Sequence, residues 1–463
     1  MKQSRRKFLR NTVAVAAGFA GLKKLAWAYG SEPPDQIFQH LVPDPAGLID
    51  LPTDFSYRVI SRVEETMTDG LLVPWKPDGM ATFPGPGGRT LLLCNSEAEV
   101  STSVEGPKGE QARRLSTLPS HLIYDSRLDE NQCLGGVSTI IFNTQKQRVE
   151  KQFMSLAGTL RNCAGGPTPW NSWISCEETT VKAEDGYGRD HGYNFEVIAS
   201  ARSKLQEPVP LKAMGRFKHE AVAVDPNSGI VYQTEDTNDG LIYRFLPAYP
   251  GRLQEGGRLQ ALAVWSKPGL DTHNWLSGDE STPKVEIPVG TNLAVRWLDL
   301  KNVESPDNDL RLQGYYHGAA RFARGEGMWY GHGSVFFACT NGGRRRQGQI
   351  WRYTPSRFEG TDNEMGTEVG KLMLYAEPNN KGLIENADTL TVAPWGDLIV
   401  CEDGWGINRM VGIRPNGTYY ELARTSSQSE LAGATFSPDG STLFVNSQQD
   451  GVTLAITGSW PFV

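Results

Sequence analysis

Histidine is scarce in this chain: seven in 463 residues, with no H-x-x-x-H pair among them, which argues against an imidazole-built zinc site. Basic residues are not in excess either. Against 53 Asp and Glu stand 46 Lys and Arg, a net charge of −7, whereas a nucleic-acid partner would want a basic stripe. No apolar run reaches the roughly 20 residues of a membrane span, and neither a helical domain nor a low-complexity tract is visible. The six cysteines do not read as a disulfide framework. Cys94, Cys176, Cys339 and Cys401 each sit in an apolar strand, one place before a polar tip. Period-two alternation turns them away from that tip, into the packing between sheets. Cys133 lies in an NQCLGG turn and points to no chemistry. What is plentiful is turn-forming residues: 50 Gly and 28 Pro favour many short strands.

Six times an apolar strand runs into a turn and returns as an apolar strand with a polar end. The returns are LLLCNSE at 91–97, SWISCEE at 172–178, GIVYQTED at 229–236, SVFFACTNGG at 334–343, DLIVCED at 397–403 and TLFVNSQQ at 442–449. Repetition with drifting spacers marks a repeat architecture. Hairpin units are predicted at roughly 71–97, 136–178, 192–246, 315–355, 383–422 and 431–457. Turn chemistry falls between their strands, as in Pro84-Gly85-Pro86-Gly87-Gly88 and Ser437-Pro438-Asp439-Gly440. The connections at about 101–132, 247–312 and 356–380 read as long loop insertions over one face. The expected fold is all-β, a six-bladed β-propeller with long loop insertions, with a two-sheet sandwich as the alternative.

The N-terminus is more specific. Ser4-Arg5-Arg6-Lys7-Phe8-Leu9-Arg10 precedes an Ala-rich apolar stretch from Thr12 to about Gly21, and Ala26-Trp27-Ala28 supplies a small-x-small cleavage site. This resembles a twin-arginine export signal. It implies a signal peptide over 1–28, a lead-in segment over 29–60 and a single propeller domain over 61–463. The mature chain is expected to be a periplasmic or secreted monomer, handled by the twin-arginine export machinery. That route carries folded cargo, which suits a protein that acquires its metal before export.

The six polar tips lie at one edge, and a second set of residues opens the same hairpins. Glu220 precedes Glu235 by 15 residues, Glu326 precedes Thr340 by 14, Asp388 precedes Glu402 by 14, Cys163 precedes Glu177 by 14 and Asp78 precedes Asn95 by 17. Cys163 thus occupies a phase otherwise filled by carboxylates. Several carboxylates at one edge cannot all stay ionised without counter-charge. Hard oxygen donors suit Ca²⁺, and a thiolate beside them suggests a transition metal such as iron or zinc. Phase and alternation favour Cys163 over Cys176 as the metal thiolate. His219 is turned away from Glu220 by strand alternation and reads as a structural or supporting residue.

These segments resemble the PhoX-type alkaline phosphatase family. The matching stretches are Asp78-Gly79-Met80, Gly135-Gly136-Val137-Ser138, Asn162-Cys163-Ala164-Gly165-Gly166-Pro167-Thr168-Pro169-Trp170, Cys176-Glu177-Glu178, Gly215-Arg216-Phe217-Lys218-His219-Glu220, Glu430-Leu431-Ala432-Gly433 and Phe436-Ser437-Pro438-Asp439-Gly440. The resemblance implies a propeller that hydrolyses phosphate monoesters with Fe³⁺ and Ca²⁺ through a metal-bound oxide or hydroxide. It implies Cys163, Glu220 and Glu326 as iron ligands and Arg324 as the phosphate grip. Glu177, Glu402, Asn95 and Asp78 would serve calcium, and hairpin phase adds Asp388 and Glu235 to the metal set. The competing readings are a calcium-dependent lactonase or esterase, for which Cys163 and Arg324 are not needed, and a propeller binding module without catalysis.

Overall fold

The computed structural model describes residues 38, 40–101, 105–127, 132–276, 286–364, 366 and 368–461. The signal expected over 1–28 lies outside them. Regular structure in the described chain is almost all strand, with two short α-helices at Gly106–Ser116 and Leu310–Tyr316. Apolar runs bounded by Gly, Pro and Asp turns give antiparallel hairpins, as in Thr82↔Leu92 and Thr435↔Phe444. Among the described residues no helix is long and apolar enough to cross a membrane.

The strands form five sheets of six, three, nine, four and four strands, which corrects the six-bladed expectation. The four smaller sheets stand as a four-bladed propeller arrangement. The nine-stranded sheet runs from His219–Val224 to Gly325–Gly331 and curls until these two end strands pack against each other, nearly closing a barrel. The misreading lies in the connections. The stretch at 247–312 is rich in polar residues and Gly and reads as a loop, although it carries the apolar runs Ala261-Leu262-Ala263-Val264 and Leu293-Ala294-Val295. It supplies the strands Gly257–Val264 and Asn292–Asp299. Asn292–Asp299 then pairs with Lys371–Ala376 through Asn292↔Met373 and Ala294↔Lys371, joining two hairpin sheets into one.

The chain ends are tied together by pairing. Ser56–Arg62 lies antiparallel to Val452–Thr457, with Ile456 opposite Tyr57, and Ile49–Pro52 adds to the sheet of Tyr419–Thr425. Cys94, Cys176, Cys339 and Cys401 are buried among apolar side chains.

The opening strands of the six hairpins start at Pro77, Asn162, His219, Gly325, Ala387 and Leu431, and each packs beside the next around a closed ring. Glycine permits the closeness. Gly433 has φ +66°, and a Cβ there would stand 2.3 Å from the Asp78 carbonyl oxygen. A Cβ on Gly79 would stand 2.6 Å from the Cα of Ala164. Gly417 also has positive φ, +85°, but nothing lies within 4 Å of its Cβ position. Gly433→Ala is therefore expected to destabilise the protein by about 2–3 kcal/mol more than Gly417→Ala. Urea unfolding of the two variants measures the difference, and equal losses would show that the ring does not need this approach.

Candidate metal centre

Each of the six opening strands breaks register at the same place. The breaks fall between Pro77 and Met80, Asn162 and Gly165, His219 and Val222, Gly325 and Met328, Ala387 and Leu390, and Ala432 and Thr435. A β-bulge re-aims the side chain it carries. In five of the six, the first bulge residue is a ligand-type group: Asp78, Cys163, Glu220, Glu326 or Asp388. The sixth carries Gly433, and its hairpin contributes amides instead. Gln448 Nε2 donates to Asp78 Oδ2 at 2.6 Å and to Glu97 Oε2 at 3.2 Å.

Hydrogen bonds between hairpins hold the bulges in place. Asn95 Nδ2 donates to the carbonyls of Cys163 and Ala164 at 3.1 and 2.6 Å, while its Oδ1 accepts from Trp173 Nε1 and Ser175 Oγ. Thr234 Oγ1 donates to the Glu326 carbonyl at 2.6 Å, and Asn446 Nδ2 to that of Asp78 at 2.5 Å. Asn95 thus spends its side chain on holding the bulge that bears Cys163.

Two groups of donor atoms result. Oxygens of Glu220, Glu326 and Asp388 all lie within 4.8 Å of one another, and so do the donor atoms of Glu97, Cys163 and Glu178. Glu220 is 1% exposed, and both its carboxylate oxygens lack a hydrogen-bond partner; Asp78 Oδ1 is in the same state. Burial pushes the carboxyls of Glu220, Glu326 and Asp388 well above the usual range, and neighbouring carboxylates push them further. Burial and then Glu97 raise Asp78 to about 8, and burial with Asp236 raises Glu178 to about 7. The Cys163 thiol is pushed up by burial and then by Asp78 and Glu220.

Cationic side chains reach only part of this charge. Arg161 lies 2.8 Å from Glu97 and 2.5 Å from Glu178, with Lys76 3.5 Å from Glu97. Arg324 forks onto Asp236 at 2.7 and 3.0 Å and reaches Glu326 at 2.8 Å. Its backbone is left-handed, φ 55°, uncommon for a non-glycine residue. Its side chain is 39% exposed beside ligand-type residues that are almost fully buried. A buried carboxylate with both oxygens unpaired, next to further carboxylates and a thiol, is a donor set that a cation satisfies. The residues present fit bound metal.

The structure therefore brings together Asp78, Cys163, Glu220, Glu326, Asp388 and Arg324. It places Glu177, Glu235 and Glu402 elsewhere. Each of these three anchors neighbouring loop backbone or side chains instead. Glu177 accepts the backbone N–H groups of Leu160 and Gly192, both at 2.9 Å. Glu235 accepts that of Leu241 at 3.1 Å and the Tyr243 hydroxyl at 2.7 Å. Glu402 accepts that of Glu385 at 2.7 Å and is clamped by Arg409. The residues that join the central groups from these tips are one place further on, Glu178, Asp236 and Asp403, together with Glu97, two places beyond Asn95. Glu430 joins them, its carboxyl raised by burial and then by Asp388. Strand alternation carried the signal, since a tip residue one step beyond Glu177 faces the side opposite to it. His219 is buried, stacks on Phe217 at 3.6 Å, and faces the Gly215 carbonyl through Nε2 at 3.0 Å.

Fold and site together define a propeller-type β protein with an acidic, sulfur-containing metal centre at its axis. The chain belongs to the alkaline phosphatase PhoX family, whose model matches residues 36–451. Among solved structures it is similar to Pseudomonas fluorescens PhoX in complex with vanadate, a transition state analogue. That likeness has 17% identity and TM-score 0.62, covering 89% of this chain and 96% of that one. A gluconolactonase from Xanthomonas campestris aligns at 10% identity and TM-score 0.39, covering 91% and 98% of the two chains. A comparison with curated proteins gives no match.

The raised carboxyls have a consequence for the metal-free protein. A carboxyl whose pKa is higher folded than unfolded holds more protons in the folded state, so stability falls as pH rises between the two values. For Asp78 that window runs from 3.8 to about 8, and for Glu178 from 4.5 to about 7. Chelated protein should lose thermal stability across this window, and chelated Asp78→Asn should lose it less steeply. Calorimetry from pH 4.5 to 8 checks both; parallel slopes would mean that Asp78 ionises as freely folded as unfolded.

Proposed function

We propose that this chain is an exported phosphomonoesterase whose central ring binds iron and calcium. The observation that carries the reading is Arg324, a partly exposed guanidinium held beside three buried carboxylates that need cations. Cys163 with Glu220 and Glu326 would hold Fe³⁺, and Asp78 and Asp388 would supply oxygens for Ca²⁺ with Glu97 and Glu178. Bound there, the ions supply Lewis acidity and an activated nucleophile for attack at phosphorus.

The chain's own residues set the rest of the site. Arg324 presents a planar fork of donors, the shape that matches two phosphate oxygens. Asp236 grips Nε and Nη2 of that fork, and Nη2 also reaches Glu326, so the guanidinium is held at the edge of the ligand set. Five bulges fix the donors they carry on strands rather than loops, so little rearrangement is needed when a dianion arrives. Membership of the family supports this reaction class, and the N-terminal Arg-Arg segment supports twin-arginine export of a monomer to the periplasm or beyond. The domain division follows, with 1–28 removed and 61–463 acting as one unit. A lactonase would need neither the Cys163 thiol nor the Arg324 fork.

Metal-replete protein should hydrolyse p-nitrophenyl phosphate at alkaline pH, and chelation should abolish turnover. Arg324→Ala should lower kcat/KM by about 10²-fold or more without changing the metal content. No turnover by iron- and calcium-replete protein across a broad panel of phosphate esters would refute the reading. Unchanged activity in Arg324→Ala would remove this residue from it.

A further inference from the structure

A second cluster stands apart from the central ring, where residues 124–125, 133 and 191 meet the strand Ser172–Glu177. His191 is fully buried, and Asp125 and Cys133 are no more than 3% exposed. One face of the imidazole is fixed: Nδ1 lies 2.7 Å from Glu177 Oε1. A carboxylate only accepts, so this contact places a proton on Nδ1, and in the neutral ring that leaves the Nε2 lone pair facing the other way. There Nε2 meets Asp125 Oδ2 at 3.4 Å and Cys133 Sγ at 3.7 Å. All three donor atoms lie within 4.8 Å of one another.

The spacings discriminate between two explanations. A charge-assisted hydrogen bond from imidazolium to a buried carboxylate closes to about 2.7–2.9 Å. The contact to Glu177 has that length; the contact to Asp125 does not. A tetrahedral zinc ion has bonds of about 2.3 Å to sulfur and about 2.0–2.1 Å to nitrogen and oxygen. Its sulfur–nitrogen edge is then about 3.6 Å and its nitrogen–oxygen edge about 3.3–3.4 Å. The two measured separations match those edges. The arrangement is also the carboxylate–histidine–metal relay, in which the second nitrogen of a ligating histidine is held by a carboxylate.

We propose that Asp125, Cys133 and His191 form a separate metal site for one zinc-type divalent ion, with Glu177 orienting His191. Glu177 then serves this peripheral ion rather than the central ring. The ion ties the segment leading into Gly135–Asn143 to the strand Ser172–Glu177 and the chain entering Asn194–Ile198, so it fastens two neighbouring sheets. The cation also answers a charge requirement, since Asp125 and Glu177 are two carboxylates approaching one ring from opposite sides.

The test is metal analysis of the full-length protein together with cobalt substitution. Wild-type protein reconstituted with zinc should bind one equivalent more than Cys133→Ser or His191→Gln. Its cobalt form should show a thiolate-to-cobalt charge-transfer band in the near ultraviolet. That band should persist in Cys163→Ser, which retains this site while removing the thiolate of the centre, and vanish when Cys133→Ser is added to that variant. Equal zinc content in wild type and the two peripheral variants would overturn the proposal. Should those variants fail to fold, loss of the band in Cys163→Ser alone would overturn it. The phosphatase reading is unaffected either way, because it rests on Arg324 and the central carboxylates.

Discussion

Repulsion between buried carboxylates at the ring axis is the constraint on which the rest of the structure depends. Glu220, Glu326 and Asp388 bring oxygens within 4.8 Å of one another. At an effective dielectric near 20, each such pair of ionised groups costs about 3–4 kcal/mol. Three pairs amount to roughly 10 kcal/mol, comparable with the whole stability of a typical domain. The ring therefore holds protons or cations. Its architecture makes sense as a scaffold that forces these groups together and leaves the neutralisation to ligands. Arg324 and Arg161 supply part of the counter-charge, but neither partners Glu220.

The same constraint explains the recurring bulges. A regular strand ending at the axis would alternate its side chains above and below the sheet and present the ring with backbone. A bulge at the second position of five opening strands turns one side chain inward and spends one residue of ladder pairing to do it; the sixth bulge carries Gly433. Asn95, Thr234 and Asn446 recover part of that loss by donating to the bulge carbonyls across the gap between hairpins. Glycine at 79 and 433 lets adjacent backbones approach at the points where the bulges meet. Ligand placement, hairpin-to-hairpin bonding and close backbone packing are thus one device.

Much of this was legible in the sequence. Asp78, Cys163, Glu220, Glu326 and Asp388 could be aligned because each sits a nearly constant distance before a strand-end tip, and a bulge does not disturb that count. The tips were harder. Glu177 and Glu402 look like ligands by composition, and Glu178 and Asp403 look equally so; only the side of the strand separates them, and alternation counted from Cys176 or Cys401 decides it. The sheet arrangement was less legible still. Within 247–312 the two strands pair with sequence neighbours, as in Tyr243 opposite Ala261 and Ala261 opposite Leu298, but the merging of two hairpin sheets depends on a distant partner, Met373 opposite Asn292. No local pattern encodes that pairing.

Cys133 and His191 show a different limit. They are 58 residues apart, in a turn and in a connecting segment, with no shared phase and no spacing that marks a metal site. Their association follows from packing: Tyr124 stacks edge-on against both His191 and Phe195, seating the imidazole beside the start of the neighbouring strand. Glu177 completes the geometry from a third direction. Its burial, with three backbone donors and the His191 ring around it, explains why a carboxylate stands one step short of the axis. Adjacent glutamates at 177 and 178 point to opposite faces of one strand. One faces the carboxylates of the ring centre, and the other faces the seam between sheets through the His191 ring and the Gly192 amide.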